Sequence, residues 1–186
     1  MKKQLLASIL AFFLVAVMAY GQQTDSASDL ILKSYSARTF TSESVSAGDL
    51  EVILKCGIKA PSASNRQPWT FTVVRDLSVM QQMIGNVVDG NVLILICGAE
   101  TGTTVDFDCG LATENMTIAA QSLGLGARIY TGPIANINST MKQALQIPAG
   151  WRGVAVLRVG HIEKNVDAVS AASPRKSYDE VVTFLK

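Results

Sequence analysis

The apolar run Val92-Leu93-Ile94-Leu95-Ile96 constrains the fold of this chain more than any other stretch. It has the length of a strand, and its lack of alternation indicates that both faces of that strand are covered. Such a strand lies inside a sheet that has helices on both sides. Segments with helical spacing of apolar residues alternate with further short strand-like runs, such as 154–159. The pattern therefore predicts a layered α/β or α+β domain.

Size and charge narrow the class of protein. The chain has 186 residues, of which 48% are apolar and 17% are charged, with a formal charge of +1. This composition is typical of one globular domain with a sizeable core. The near-neutral charge and the absence of a basic run exclude a nucleic-acid partner on electrostatic grounds.

The N-terminus has the pattern of a secretory signal peptide over residues 1–21. Lys2 and Lys3 precede an apolar run at 5–18, and Ala19-Tyr20-Gly21 places small residues at the two positions a signal peptidase reads. An uncleaved N-terminal anchor is the alternative. We predict a linker at 22–28, a folded domain at 29–186 and an exported, periplasmic protein.

The residues that could do chemistry by themselves are few. Cys56, Cys97 and Cys109 lack metal-ligand spacing, and we expect buried free thiols, with one disulfide as the alternative. His161 is the single histidine and follows a strand end, where a loop or surface role is the simpler expectation. No nucleophile elbow or glycine-rich phosphate loop accompanies it. A catalytic role would therefore require a cofactor, and no metal site is predicted.

Special residue types are concentrated in the stretch from Ala60 to Phe71. Two prolines fix the backbone at either end of a loop, and Asn65 and Gln67 each offer a donor and an acceptor. Trp69 then opens a strand. On residue types alone, a helix stop followed by a strand start explains the stretch.

The order Pro61-Ser62-x-x-Asn65-x-Gln67-Pro68-Trp69-x-Phe71 nevertheless resembles the flavin-contacting loop of the nitroreductase family. The resemblance extends along nearly all of the chain after residue 21, through motifs in the order the family shows. Those motifs are Ser36-Ala37-Arg38-Thr39-Phe40, the helix at 110–123 with Gly124-Leu125-Gly126, Ile129-Tyr130-Thr131-Gly132 and Pro174-Arg175-Lys176. The resemblance implies an α+β fold in three layers, with a mixed sheet flanked by helices.

The same resemblance implies FMN as the cofactor, bound at the interface of a homodimer. It assigns the phosphate to Arg38 and Arg175, whose forked guanidinium groups suit a dianion, and to the hydroxyl of Ser36. The helix at 110–123 is rich in small residues, which a monomer would leave exposed.

The resemblance places Asn65 and the Pro61-Ser62 segment along the polar edges of the flavin ring. Gln67 either joins them or braces the loop. The backbone N–H groups of Thr131 and Gly132 are implied near N5, the atom that accepts and returns the hydride.

Two positions depart from the family pattern around the phosphate. Ser34 and Ser173 stand where family members commonly carry basic residues, which puts the strength of phosphate binding in question. The third flavin contact falls within 79–92, where Asn86 is the candidate.

The resemblance implies an FMN-dependent oxidoreductase with ping-pong kinetics. Hydride would pass from NAD(P)H, or from another donor outside the cytoplasm, to a nitroaromatic, quinone or similar acceptor. No side chain is assigned a catalytic role, because FMN carries the chemistry. The alternative is a noncatalytic exported protein of the same fold that binds a flavin or another ligand.

Overall fold

The computed structural model describes residues 26–163 and 174–185. Its helices are α1 (Ala27–Lys33), α2 (Ala47–Ile58), α3 (Leu77–Met83), α4 (Val105–Ser122), α5 (Ile134–Asn136), which continues as a π-helical turn (Ile137–Met141), and α6 (Tyr178–Val181). Its strands are β1 (Trp69–Val74), β2 (Val92–Ala99), β3 (Gly126–Tyr130) and β4 (Trp151–Gly160).

The chain divides into two units at Leu32 and Lys33. Within the first unit the structure describes only the stretch from Ser26, most of it in α1. The Ser26 hydroxyl donates to the Asp29 carboxylate (2.7 Å) and accepts from the Asp29 N–H (3.2 Å), which caps this helix. The helix begins at Ala27, so it includes the last two residues of the predicted linker.

The four strands of the second unit form one sheet in the order β1-β2-β4-β3. The α+β class and the three layers predicted for this domain are confirmed. The predicted mixed sheet is not, because all three pairings of the described strands are antiparallel. The alternation of helices and strands predicted layering, but a helix can also join two antiparallel neighbours, as α3 joins β1 and β2.

The central strand β2 explains why the run at 92–96 has no alternation. Val92, Ile94 and Ile96 pack into a core with α2 and α4 on one face of the sheet. Leu93 and Leu95 pack into a second core with α3 and the residues around the π-helical turn on the other face. Because both faces of β2 are covered by apolar cores, neither face accommodates polar side chains.

The small-residue helix is buried within its own chain. Ala112, Met116, Ala119 and Ala120 of α4 all lie in the first core, and Met116 packs against Gly57 of α2. The expectation that a monomer would leave this stripe exposed was therefore wrong. Small residues serve here to bring α4 close to α2 and to the sheet.

Two predicted helix starts are confirmed. The Ser46 hydroxyl accepts from the N–H of Asp49 (3.0 Å) at the start of α2. Ser177 and Glu180 form the predicted capping box of α6, where the Ser177 N–H donates to the Glu180 carboxylate (2.7 Å).

All three cysteines are free, as predicted, but only Cys97 and Cys109 are buried, whereas Cys56 is partly exposed. No helix among the described residues has the length and apolarity needed to cross a bilayer. The predicted signal peptide and Ser173 lie outside the described residues.

Candidate flavin-binding site

A surface pocket of about 210 Å³ lies beside β3, between that strand, the C-terminal half of α4 and the segment 34–36. Two predicted phosphate residues, Ser36 and Arg175, meet in its wall although they come from opposite ends of the domain. Its complete lining is Ser34, Tyr35, Ser36, Glu114, Thr117, Gln121, Ala127, Arg128, Ile129 and Arg175.

The segment that carries Ser36 is fixed to the strand and the helix by hydrogen bonds. The Ala37 N–H donates to the Ala127 carbonyl (3.0 Å), and the Gln121 side chain donates to the Tyr35 carbonyl (2.9 Å). Ala37 is buried, whereas its neighbours Ser36 and Arg38 are exposed. Burial raises the pKa of Tyr35, so this phenol stays neutral at the pocket wall at ordinary pH.

The donor groups in this pocket suit a phosphate ester. Arg175 offers a guanidinium, and Ser34 and Ser36 offer hydroxyls, while Glu114 is the only acid in the lining. Ser34 therefore lies at the pocket and supplies a neutral donor in place of a cation. The other predicted phosphate residue, Arg38, is exposed and is not part of the lining.

Arg128 is a pocket residue that the sequence reasoning did not identify. It lies in β3, and its guanidinium stands over the ring of Tyr130, 4.9 Å from the centroid. The sequence feature that could have identified it is a charged side chain inside a short strand that is otherwise mostly apolar. Arg128 adds a second cation to the wall that holds Arg175.

The predicted flavin loop is held in a strained conformation by its own side chains. Ser64, Asn65 and Gln67 have positive φ values of 53°, 54° and 49°, which residues other than glycine adopt at a cost. The Ser62 hydroxyl accepts from the Gln67 N–H (2.9 Å), and the Gln67 amide donates to the Asn65 side chain (3.2 Å). Gln67 thus braces the loop, the second of the two roles considered for it.

Asp108 of α4 anchors this loop to the helix. Its carboxylate is 1% exposed and accepts from the Ala63 N–H (3.1 Å) and from the Thr104 hydroxyl (3.1 Å). Arg66 in turn donates to the Thr104 hydroxyl (3.4 Å). The sequence reasoning did not single out Asp108, because one acid near a helix start has many explanations.

Thr131 and Gly132 follow the last residue of β3. Both are exposed, and the position that a side chain would occupy at Gly132 is open, with no atom within 4 Å. They continue the strand whose residues 127–129 line the pocket. A planar ligand can therefore approach this backbone closely.

Six of the nine predicted residues fall into two groups along α4, while Arg38, Thr131 and Gly132 belong to neither. The loop with Pro61, Ser62, Asn65 and Gln67 lies at the first turn, where Asp108 holds it. The pocket lies at Thr117 and Gln121. The rise of an α-helix puts about 13 Å between Asp108 and Thr117 along the axis.

Two further residues considered in the sequence, Asn86 and His161, lie outside both groups. Asn86 accepts a hydrogen bond from Arg158 (3.4 Å), and His161 is partly buried with its Nδ1 3.6 Å from the Glu43 carboxylate. Within 26–163 and 174–185, no cluster of histidine, cysteine and acidic side chains could hold a metal ion.

The chain matches the sequence model of the nitroreductase family over residues 31–94 and 86–161. It is 30% identical over 155 residues to an Archaeoglobus fulgidus protein provisionally named NADH dehydrogenase/NAD(P)H nitroreductase, covering 76% of this chain and 88% of that one. It is 26% identical over 161 residues to the FMN reductase (NADPH) of Bacillus subtilis, covering 72% and 64%.

Solved structures agree with this assignment. A provisionally named nitroreductase from Desulfovibrio desulfuricans, in complex with FMN, superposes with a TM-score of 0.74 at 29% identity over 87% of this chain and 98% of that chain. The fold, the motifs and the family match point the same way. The chain belongs to the nitroreductase family.

Proposed function

We propose that this protein is an FMN-dependent oxidoreductase. It takes hydride from NAD(P)H or another donor and passes it to a nitroaromatic, quinone or similar acceptor in two alternating half-reactions. The observation that carries the proposal is the meeting of Ser36 and Arg175, from distant parts of the chain, in one pocket with phosphate-binding donors. When bound, FMN supplies the electron chemistry.

The pocket residues have a binding role. Arg175 pairs with the phosphate dianion, the hydroxyls of Ser34 and Ser36 donate to it, and Arg128 adds positive potential. Arg38, two residues after Ser36, is exposed and has a side chain long enough to approach a ligand from outside the lining. Ser34 in place of a basic residue lowers the charge of the site and keeps a hydrogen-bond donor there.

The loop residues orient the ring and tune its potential. Donors aimed at the edge that gains negative charge on reduction stabilise the reduced state. Asn65 and the Pro61-Ser62 segment have this role, and the Thr131 and Gly132 N–H groups have it at the hydride-accepting edge. Because Gln67 and Asp108 hold the loop in place beforehand, little ordering is needed when the cofactor binds.

A second copy of the chain completes the site. The pocket is smaller than the roughly 300 Å³ at which ligand sites usually begin, and the loop residues are not part of its lining. Phe184 and Leu185 near the C-terminus are 73% and 95% exposed, and Phe107 beside the loop is exposed as well. A homodimer in which one copy supplies the pocket and the other the loop would cover these side chains.

The noncatalytic alternative is not favoured. The relatives of this chain are named for reductase activity, and Ser34, which departs from the family pattern, still lines the pocket as a donor. We retain export to the periplasm as part of the proposal, on the pattern of residues 1–21. The electron donor there would differ from cytoplasmic NAD(P)H.

The test is retention of FMN by the purified protein. Wild-type protein mixed with FMN and desalted should keep the two flavin absorption bands and lose them on reduction. Arg175→Ala should weaken FMN binding about ten- to hundredfold, the range for losing a hydrogen bond to a charged group. Lys176→Ala is the matched control, because Lys176 is the adjacent cation and does not line the pocket.

A wild-type protein that retains no FMN would contradict the proposal. Equal losses for Arg175→Ala and Lys176→Ala would show that general charge, and not this pocket, attracts the flavin.

A further inference from the structure

Arg158 lies near the C-terminal end of β4 and is a buried cation that has no acidic partner among the described residues. It is 2% exposed, and the ion pairs of the described residues do not include it. Its Nε donates to the Asn91 side chain (2.9 Å) and its Nη1 donates to Asn86 (3.4 Å). Burial is the main effect on the pKa of this guanidinium and lowers it; the Tyr130 phenol acts in the opposite direction, and the like charge of Arg128 opposite it on β3 adds to the lowering, but arginine stays protonated.

Burying such a charge disfavours folding. An apolar residue of similar size at this position would remove the desolvation cost, and in other buried sites such replacements are neutral or stabilising. We therefore expect Arg158 to act through the residues that it contacts and not through the free energy of unfolding.

Arg158 holds the chain directly after the Ser36-x-Arg38 motif. Its guanidinium stacks on the ring of Phe40, 4.0 Å from the centroid. Asn91 extends the contact, because its amide donates to the Thr41 carbonyl (3.0 Å) while its oxygen accepts from Arg158. Phe40 and Thr41 are thus tied to one buried guanidinium.

The sheet is shaped to admit this arrangement. Gly126 and Gly160 face each other across β3 and β4. A Cβ at Gly160 would stand 2.7 Å from the Asn91 amide nitrogen and 3.0 Å from the Phe40 ring, so any side chain there would displace both. The glycine pair leaves the space through which Phe40 reaches the strand.

The motif is consequently fixed at two points. The Ala37 N–H is bound to the Ala127 carbonyl, and Phe40 with Thr41 is bound through Arg158 and Asn91. Between and beside these points Ser36 and Arg38 are exposed, with Ser36 at the pocket.

We propose that Arg158 is a positioning residue for the phosphate pocket, which sets the place of Ser36 and Arg38 by holding Phe40 and Asn91. The inference rests on the proposed binding of FMN. It predicts a selective effect, because only the phosphorylated end of the cofactor depends on these residues. Riboflavin, which lacks the phosphate, should be bound with the same affinity whether Arg158 is present or not.

The test compares dissociation constants for FMN and riboflavin, measured by quenching of flavin fluorescence. Wild-type protein should prefer FMN, and Arg158→Met should reduce that preference about tenfold, as expected for loss of a desolvated cation–π contact. Arg158→Lys should reduce it similarly, because lysine keeps the charge but lacks the planar fork. Arg152→Met, at the far end of β4 and paired with Asp106, is the control and should keep the preference.

Phe40→Leu gives an independent variant. It removes the other half of the stack, so as a single substitution it should lower the preference for FMN over riboflavin. In the double variant with Arg158→Met, it should lower that preference little further. Urea unfolding of each variant establishes that it is folded before the titrations are compared.

Two results would overturn the inference. One is an equal loss of FMN and riboflavin in Arg158→Met, which would make its role purely structural. The other is a preference for FMN over riboflavin in Arg158→Lys equal to that of the wild type. That result would mean that the charge at this position, and not the stacking on Phe40, positions the pocket. A wild-type protein that binds no FMN would instead remove the proposed function, whereas unchanged preference in all variants would remove this inference alone.

Discussion

The two buried thiols show how burial decides what a single residue can do. Cys97 and Cys109 have no exposed surface. Desolvation raises the pKa of Cys97 to about 11 and that of Cys109 to about 12, with nearby acids adding to the second. A thiol that stays protonated is a poor nucleophile. These cysteines are part of the core, and burial disfavours the thiolate form at both.

Their pKa values predict a pH dependence of stability. Between about pH 9 and 11 the unfolded chain loses thiol protons that the folded chain retains, so the free energy of unfolding falls as the pH rises. Each thiol contributes at most about 1.4 kcal/mol per pH unit in that window. Urea unfolding at pH 8 to 10.5 should therefore show a shallower decline for Cys97→Ala/Cys109→Ala than for wild type. Parallel declines would contradict the prediction.

At this scale the sequence identified residues within motifs and missed isolated ones. Ser36 and Arg175 belong to recognisable sequence motifs, and both line the same pocket in the structure. Arg128, Asp108 and Arg158 are single charged residues within a helix or a strand. What gives each of them a role is a neighbour distant in the chain, and no local spacing records such a neighbour.

At the scale of elements, the loop at 61–68 depends on the helix behind it. Three positive φ values are unfavourable for the residues that adopt them. The Asp108 carboxylate and the hydrogen bonds among Ser62, Asn65 and Gln67 offset this strain. The loop is thereby held ready for a ligand before one arrives.

Removing the anchor should destabilise the domain. Asp108→Ala leaves the Ala63 N–H and the Thr104 hydroxyl without their acceptor, and the free energy of unfolding should fall by about 1–3 kcal/mol. Asp108→Asn keeps an amide oxygen and should lose less. Urea unfolding measures both, with Asp89→Asn in an exposed turn as the control. An Asp108→Ala variant as stable as wild type would show that the loop does not need the anchor.

Element positions were predictable where periodicity was strong. The run at 92–96 and the apolar stripe of α4 gave the right element types. Strand direction was not predictable, because a strand covered on both faces has the same composition in parallel and antiparallel sheets. The same limit applies to the α4 stripe, which indicates close packing but not whether the partner is another chain.

At the scale of the whole molecule, the separation of pocket and loop gives a test of shared sites. A pocket variant, Arg175→Ala, and a loop variant, Ser62→Ala/Asn65→Ala, should each bind FMN weakly. In a mixed dimer, one site carries both changes and the other carries none. Refolding the two variants together should therefore restore about one quarter of the wild-type sites, counted by tight flavin retention. Each variant refolded alone is the control.

No restoration in dimers shown to be mixed would mean that pocket and loop of the same chain serve one site. A monomer by sedimentation in the presence of FMN would contradict the dimer itself.

The pocket is assembled from residues that are far apart in the chain. Its walls come from the stretches around 34–36 and 114–129 and from Arg175, and Phe40 pairs with Ile162 across the sheet. Contacts of such long sequence separation close late, after the strands between them have met. A folding intermediate would hence have no place for the phosphate. FMN should slow the unfolding of the native protein and leave its folding rate unchanged. The cofactor would thus stabilise the native state without assisting the folding that leads to it.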